Sequence, residues 1–298
     1  MRRTPDSADA MLVVANVLWS LNYATTKYAF EGAWEPLAFS ATRFCVAGLA
    51  FGSLVLWREG SLRVRREHVG LVLAAAAVGI VGNQLTFNYA VDNTTAGNTA
   101  LILASSPAFA ALFASIAGHE HVGARHWLAL GVSVSGVALV IQGGAGVAGV
   151  SLLGDLLAVG AAITWAAYSV MLRPLFAHYS AARISALMVA IGGVMMLPFG
   201  IPQMLQQDWA AINGLRWGAW LYSTIFPVLV TNVLYFRALR TIGASRATLY
   251  MYLQPFLGAL FAALLLGEQI TALQFVGGLV IVGGVSLGRL MPGATVRE

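Results

Sequence analysis

Four side chains in one apolar stretch, Asn16, Trp19, Tyr23 and Thr26, recur at helical spacing and draw a single polar and aromatic stripe along an otherwise oily rod. A later stretch repeats the idea with Trp165 and Tyr168. A third brings Asn83, Gln84, Phe87 and Asn88 onto one helical face, and a shift of 148 residues lands on Thr231, Asn232, Tyr235 and Phe236. Amides, hydroxyls and rings make no bonds. They recognise: a cavity built from them suits a small uncharged or zwitterionic solute, with amides for its polar groups and rings for an apolar side chain. The same groups can instead bond helix to helix in a medium without water, and the two tryptophans can simply pack. Both readings stay open at this point.

Two prolines, Pro107 and Pro255, fall well inside apolar runs. Each removes one backbone donor and frees the carbonyl four residues earlier, at Leu103 and Met251. Kinks are expected there, with Ser105, Ser106, Tyr250 and Gln254 as neighbouring polar groups; the functional reading is a hinge beside a solute, and the alternative is a static bend. Arg43 sits deep in another apolar run, where an unpaired cation is costly. Its candidate partners are a solute carboxylate, helix carbonyls, or Glu31 and Glu35 reached by snorkelling. Glu120 and Glu268 fall just past helix ends and read as loop or capping groups.

The remaining chemistry is thin. His119-Glu120-His121 followed by His126 could hold a metal in a membrane enzyme, yet such spacing on a short loop usually reads as solvated surface. No phosphate loop, dinucleotide fingerprint or lipase-type serine motif stands in a supporting context. We expect no cofactor, no metal and no catalysis. No Asp or Glu is placed at mid-membrane, since Asp92, Asp155 and Glu268 all fall at ends. That argues against a proton–cation exchanger built around one buried carboxylate.

The elements that must position these residues follow from composition. Apolar residues make up 59% of the 298-residue chain and charged ones only 10%, against about 25% charged in soluble domains. Taking about 20 residues per span, ten membrane helices are expected near 10–29, 36–57, 69–90, 95–117, 125–142, 153–172, 181–200, 215–236, 245–266 and 271–290. With the N-terminus cytoplasmic, 14 of the 17 basic residues fall on the inner side, among them Arg58, Arg63, Arg65, Arg66, Arg173, Arg183 and Arg237. Both termini are then cytoplasmic. The formal charge of +5 needs no nucleic-acid partner, because arginines beside anionic headgroups account for it. The lone Cys45 excludes an internal disulfide.

The chain also matches itself. A shift of 148 pairs Pro107 with Pro255, Leu112-Phe113-Ala114 with Leu260-Phe261-Ala262, and Glu120 with Glu268, without a gap over about 55 residues. A shift of 146 pairs Trp19 with Trp165 and Lys27 with Arg173. An odd number of helices per unit turns the second unit over, giving two inverted five-helix repeats over 1–142 and 153–298 joined by a glycine-rich linker at 143–152. Such a pair has two equivalent conformations facing opposite sides.

Trp19 in the first helix, Thr42-Arg43-Phe44 in the second, Ser106-Pro107 and Gln254-Pro255 in the fourth and ninth, and Leu266-Gly267-Glu268 resemble, in order and spacing, the ten-helix EamA type of the drug/metabolite transporter superfamily. Within it the chain is similar overall to bacterial amino-acid exporters of the YddG type. The resemblance covers nearly the whole chain. It implies a multi-pass carrier of the bacterial inner membrane, with a central cavity lined by the first, third, fourth, sixth, eighth and ninth helices. The partners expected are the lipid bilayer and a small solute, with amino acids ahead of purine-type metabolites or drugs; a monomer is favoured. Mapped onto these helices, the expected solute-binding set is Trp19, Tyr23, Asn83, Gln84, Phe87, Ser105, Trp165, Tyr168, Asn232, Tyr235 and Tyr250, with Pro107 and Pro255 as hinges and Arg43 as a possible carboxylate partner. A channel and a membrane enzyme are the rival classes.

Overall fold

The computed structural model describes residues 5–117, 124–242 and 250–290. Among them every regular element is helical. The segments join into ten rods: α1 (Pro5–Phe30), α2 (Pro36–Glu59), α3 (Arg66–Asn93), α4 (Ala96–Ile116), α5 (Ala124–Gly144), α6 (Leu152–Phe176), α7 (Ala181–Gln206), α8 (214–242), α9 (Tyr250–Leu266) and α10 (Ala272–Leu290). By length and composition seven of the described helices can cross a membrane, and two shorter apolar helices accompany them in α9 and α10. The chain is an all-α, multi-pass membrane protein. The loop carrying His119, Glu120 and His121, the side chains of His126 and Phe236, and residues 243–249 lie outside what is described.

Local chemistry sets the helix ends. Ser151, Ser180, Asn213 and Thr95 each accept a hydrogen bond from the backbone N–H three residues on, satisfying a donor that the first turn leaves free. Pro36 opens α2, where its missing N–H costs nothing. Gly60 and Gly267 close α2 and α9 in left-handed conformation, at φ 70 and φ 68.

Four rods are not regular. A π-helical turn interrupts α3 at Ala77–Gly82 and another interrupts α8 at Phe226–Val230. Shifted by 148 residues, the first falls on the second. In α8 the cause is visible: Pro227 has no N–H to give, and its carbonyl accepts both the Trp19 indole and the Thr231 hydroxyl. α4 breaks at Ala104 and Ser105, and the Leu103 carbonyl that Pro107 cannot serve accepts the Ser106 hydroxyl at 2.6 Å. In α9 a 3₁₀ turn at Tyr250–Tyr252 precedes Pro255.

The rods α2 and α7 lie side by side, as do α5 and α10. Both pairs touch through residues 148 apart: the Cys45 thiol donates to the Gly193 carbonyl at 3.5 Å, and the Ser133 hydroxyl to the Ile281 carbonyl at 3.4 Å. Glycine makes the second pair possible, because a Cβ on Gly136 would sit 2.7 Å from the Ile281 nitrogen and one on Gly277 2.8 Å from the Gly136 carbonyl oxygen.

Hydrogen bonds between rods define the two ends of the bundle. At one end Arg65 N–H and His68 meet the Tyr179 hydroxyl, while Ser180 and Arg183 donate to Glu59. At the other, Gln203 and Gln207 cap the start of α2, and Arg216 donates to the Glu31 carbonyl at 2.5 Å. Four tryptophans, Trp34, Trp209, Trp217 and Trp220, pack edge to face and stacked at this second end, with Trp34 buried among them.

Candidate functional site

The stripe on α1 faces the centre of the bundle. Trp19 donates its indole N–H to the Pro227 carbonyl at 3.0 Å and packs its ring 5.7 Å from that of Tyr235. The next residue, Ser20, donates to the Gln254 carbonyl on α9, and about one turn on the Tyr23 ring lies 5.8 Å from Phe87 on α3. Tyr222 donates to the Leu18 carbonyl at 2.7 Å. The first helix is thereby tied to α8 and α9 through exposed backbone carbonyls at the second π-turn and beside Pro255. Asn16, Asn22 and Thr26 on the same helix each keep one buried oxygen without a partner, and unpaired groups of this kind await water or solute.

On α6 the burial pattern locates an opening. At 3.6 residues per turn, Ala158, Ala161, Ala162, Tyr168 and Leu172 share a face, and all are buried. Trp165 and Ser169 lie in the middle of that face, yet Trp165 is 40% exposed and Ser169 is only partly buried. The opposite face, with Leu152, Leu156 and Ile163, is the one left to lipid. Exposure at the centre of a buried face marks an internal space about halfway along α6. In α4 a gradient appears, since Ala96–Ile102 are buried all round and Leu103 and Ala104 are partly open. The Trp165 ring lies 5.6 Å from Tyr168. Tyr168 in turn fills the place a side chain on Gly79 would take, its ring only 2.0 Å from a Cβ built there.

The amides of α3 play a different part. Arg43 is almost fully buried at 3% exposure, donates from Nη2 to Gln84 Oε1 at 2.6 Å, and lies over the rings of Phe39 and Phe44 at 5.4 and 4.9 Å. The expected partners Glu31, Glu35 and helix carbonyls are therefore replaced by a neutral amide and two ring faces. Burial at the α2–α3 contact keeps the guanidinium from snorkelling, and the ring quadrupoles supply the attraction that a carboxylate would. Gln84 Nε2 donates onward to Asn83 Oδ1 at 3.2 Å, and Asn83 Nδ2 donates to the Ala161 carbonyl at 2.9 Å and the Thr164 hydroxyl at 3.3 Å. Asn88 donates to Ser40 at 2.6 Å. This chain of polar groups fastens α2 to α3 and α3 to α6, one residue before Trp165. The equivalent groups on α8 bond within their own π-turn, Asn232 donating to the Val228 carbonyl at 2.5 Å. Ser105 likewise returns its hydroxyl to the Ile102 carbonyl. Tyr250 packs beside Ala8, Leu12 and Ala238, away from Trp165.

The structure therefore divides the expected set. Trp19 and Tyr235 meet at the second π-turn, Trp165 and Tyr168 beside the first, and Tyr23 and Phe87 between α1 and α3. Asn83, Gln84, Asn232 and Ser105 spend their hydrogen bonds on helix backbone, on each other or on Arg43, Ser40 and Thr164. Sequence reasoning passed over Ser169 and the π-turns. It also passed over a cluster at the closed end. There Lys27 Nζ donates to the carbonyls of Val91, Asp92 and Thr94 at 2.9, 3.1 and 3.0 Å. Glu268 accepts from the N–H groups of Ala96 and Gly97 at 2.7 and 2.8 Å, as its reading as a capping group anticipates. Asp155, 1% exposed, accepts from Thr94 at 2.8 Å and Asn98 at 2.5 Å. Burial raises the Glu268 carboxyl above the usual carboxylate range, while the two N–H donors and Lys27 act in the opposite sense.

A bundle of apolar rods with a polar and aromatic interior, open towards one end, defines a membrane transporter. The EamA-like transporter family model matches the chain twice, over residues 6–142 and 152–288, and the chain belongs to that family, within the drug/metabolite transporter superfamily. It is 24% identical over 93% of its length to an uncharacterized transporter of Archaeoglobus fulgidus, covering 95% of that protein. A probable terminal-alkyne amino-acid exporter of Streptantibioticus cattleyicolor is also 24% identical, over 93% of this chain and 91% of the relative. The uncharacterized inner membrane transporter YedA of Escherichia coli K12 matches at 24% over 91% of this chain and 87% of its own. A solved crystal structure with 21% identity superposes with a TM-score of 0.65 over 96% of this chain and 97% of the other, which establishes the likeness of fold.

Proposed function

We propose that this transporter is a carrier that exports small neutral or zwitterionic metabolites, amino acids foremost, from a bacterial cytoplasm by alternating access. The observation that carries the reading is the exposure of Trp165, with Ser169 partly open beside it, at the centre of a buried helix face. In this reading both lie on a solute path open at one end and packed shut at the other. Aromatic pairs and hydroxyls line its closed half, and no carboxylate lies near Trp165 among the described residues. That suits an apolar or aromatic side chain borne by a neutral or zwitterionic molecule. The amino-acid exporter among the relatives supports the same class.

In this reading all ten rods cross the inner membrane, residues 1–142 and 153–298 form inverted repeats joined by 143–152, and both termini face the cytoplasm. Support comes from the family model matching twice, from the two π-turns at equivalent positions, and from the contacts between residues 148 apart, which lie where a two-fold axis would pass. Arg58, Arg63, Arg65, Arg66, Arg173, Arg183 and Arg237 gather at the end towards which the path opens. The positive-inside rule makes that end cytoplasmic. Asp155 is buried but held at a helix end by Thr94 and Asn98, so transport driven by the solute gradient alone remains the proposal, by a monomer.

Purified protein in liposomes, challenged with labelled neutral amino acids in competition with nucleosides and cationic drugs, tests the substrate class. Competition by aromatic or branched amino acids at the lowest concentrations is the expected result. Inhibition by nucleosides or drugs alone, with amino acids inert, would overturn it.

A further inference from the structure

The turn between α3 and α4 is held from three sides by charged groups, each from a different part of the chain. Lys27 of α1 places its ammonium on three carbonyls that end α3, where the helix dipole is negative. Glu268, in the turn between α9 and α10, places one carboxylate oxygen on each of the first two N–H groups of α4, where the dipole is positive. Asp155 of α6 grips Thr94 and Asn98, and Asn98 is further held by Gln274 of α10. The fit is close: Ser151 donates to the Asn93 carbonyl at 2.7 Å, and a Cβ on Gly154 would lie 2.7 Å from Thr94 N.

We infer that Lys27, Asp155 and Glu268 form a polar latch that shuts the outer end of the solute path, and that its release is the step which opens that end. The inference rests on the two-state reading above. Three features distinguish a latch from an ordinary set of helix caps. All three charged groups converge on one eight-residue stretch, Val91–Asn98, and they arrive from α1, α6 and the α9–α10 turn, elements that must separate if this end is to open. They stand at the end where α4 is buried all round, away from the half of α6 where Trp165 is exposed and Ser169 partly so. And the bonds are of a kind that water can replace, since an ammonium and carboxylates released into solvent recover their hydration, whereas an apolar seal of the same size would expose its surface at full cost on every cycle. The sequence repeats the chemistry for the other end, pairing Lys27 with Arg173 and Glu268 with Glu120.

The test needs no substrate. With Cys45→Ala as background, a single cysteine is placed either at Thr26, which is fully buried beside Lys27, or at Ser169 in the open half. Maleimide labelling is followed in nanodiscs, where both faces are accessible. Lys27→Met and, as the near-isosteric second variant, Glu268→Gln are expected to raise the rate at Thr26→Cys by about tenfold, the factor carried by one charge-assisted hydrogen bond, and to lower it at Ser169→Cys. Unchanged rates at both sites, in variants whose melting temperatures stay near the parent's, would overturn the latch. A rise at both sites would leave the latch standing and contradict the exchange between two states on which it rests.

Discussion

Gly79→Ala is the perturbation whose size can be worked most directly from the structure. A Cβ at Gly79 would lie 2.0 Å from Cδ2 and 2.2 Å from Cγ of Tyr168, where carbon atoms prefer about 3.5–4.0 Å. The ring must therefore retreat by roughly 1.5–2 Å. It has little room to do so, because Tyr168 is buried among Ile80, Leu172, Ile184 and Met188. Overpacking of this kind costs about 1–3 kcal/mol. Tyr168 also carries Trp165 on its edge, so the shift reaches the open half of the site. Thermal unfolding of purified Gly79→Ala, Tyr168→Leu and the double variant measures the effect as a cycle. Shortening Tyr168 frees the space that the new methyl needs, and the double variant is expected to be more stable than the sum of the single losses by about 1 kcal/mol or more. Strict additivity would refute the claim that Gly79 exists to seat this ring.

Gln84→Leu removes the amide acceptor that Arg43 finds among the described residues and should cost about 1.5–3 kcal/mol. Arg43→Met in the same chain should recover part of that loss, as read by thermal melts. Trp19→Phe keeps a ring against Tyr235 but deletes the donor to Pro227, and an expected loss of about 1 kcal/mol separates its hydrogen bond from its packing. Trp165→Ala, by contrast, sheds a partly exposed ring and should leave folded protein in the membrane while transport fails. Normal transport by that variant would remove Trp165 from the solute path.

The all-α bundle of apolar helices was legible because lipid imposes a uniform demand on every spanning segment. The carbonyl that Pro107 frees at Leu103 was legible for a similarly local reason, though not that Ser106 would take it. The π-turns were not. Ala77–Gly82 is a plain apolar run, and in Phe226–Val230 only Pro227 hints at irregularity; both turns depend on what packs alongside, Tyr168 on Gly79 and Trp19 on Pro227. The partner of Arg43 was hidden for the same reason, since its burial follows from the α2–α3 contact and not from its depth in the sequence. Asn83, Gln84 and Asn88 share a face as their spacing requires, yet spacing cannot say whether a face meets solute or another helix. Lys27, Asp155 and Glu268 are 113 or more residues from one another and converge only through the fold.

The central claim is that this membrane protein is a carrier that exposes one site alternately to each side. Liposomes preloaded with unlabelled neutral amino acid, and then offered the same compound in labelled form, test it most directly. The account predicts saturable uptake accelerated by the internal pool and abolished in Trp165→Ala liposomes. Flux that rises linearly with concentration and ignores the internal pool would contradict it.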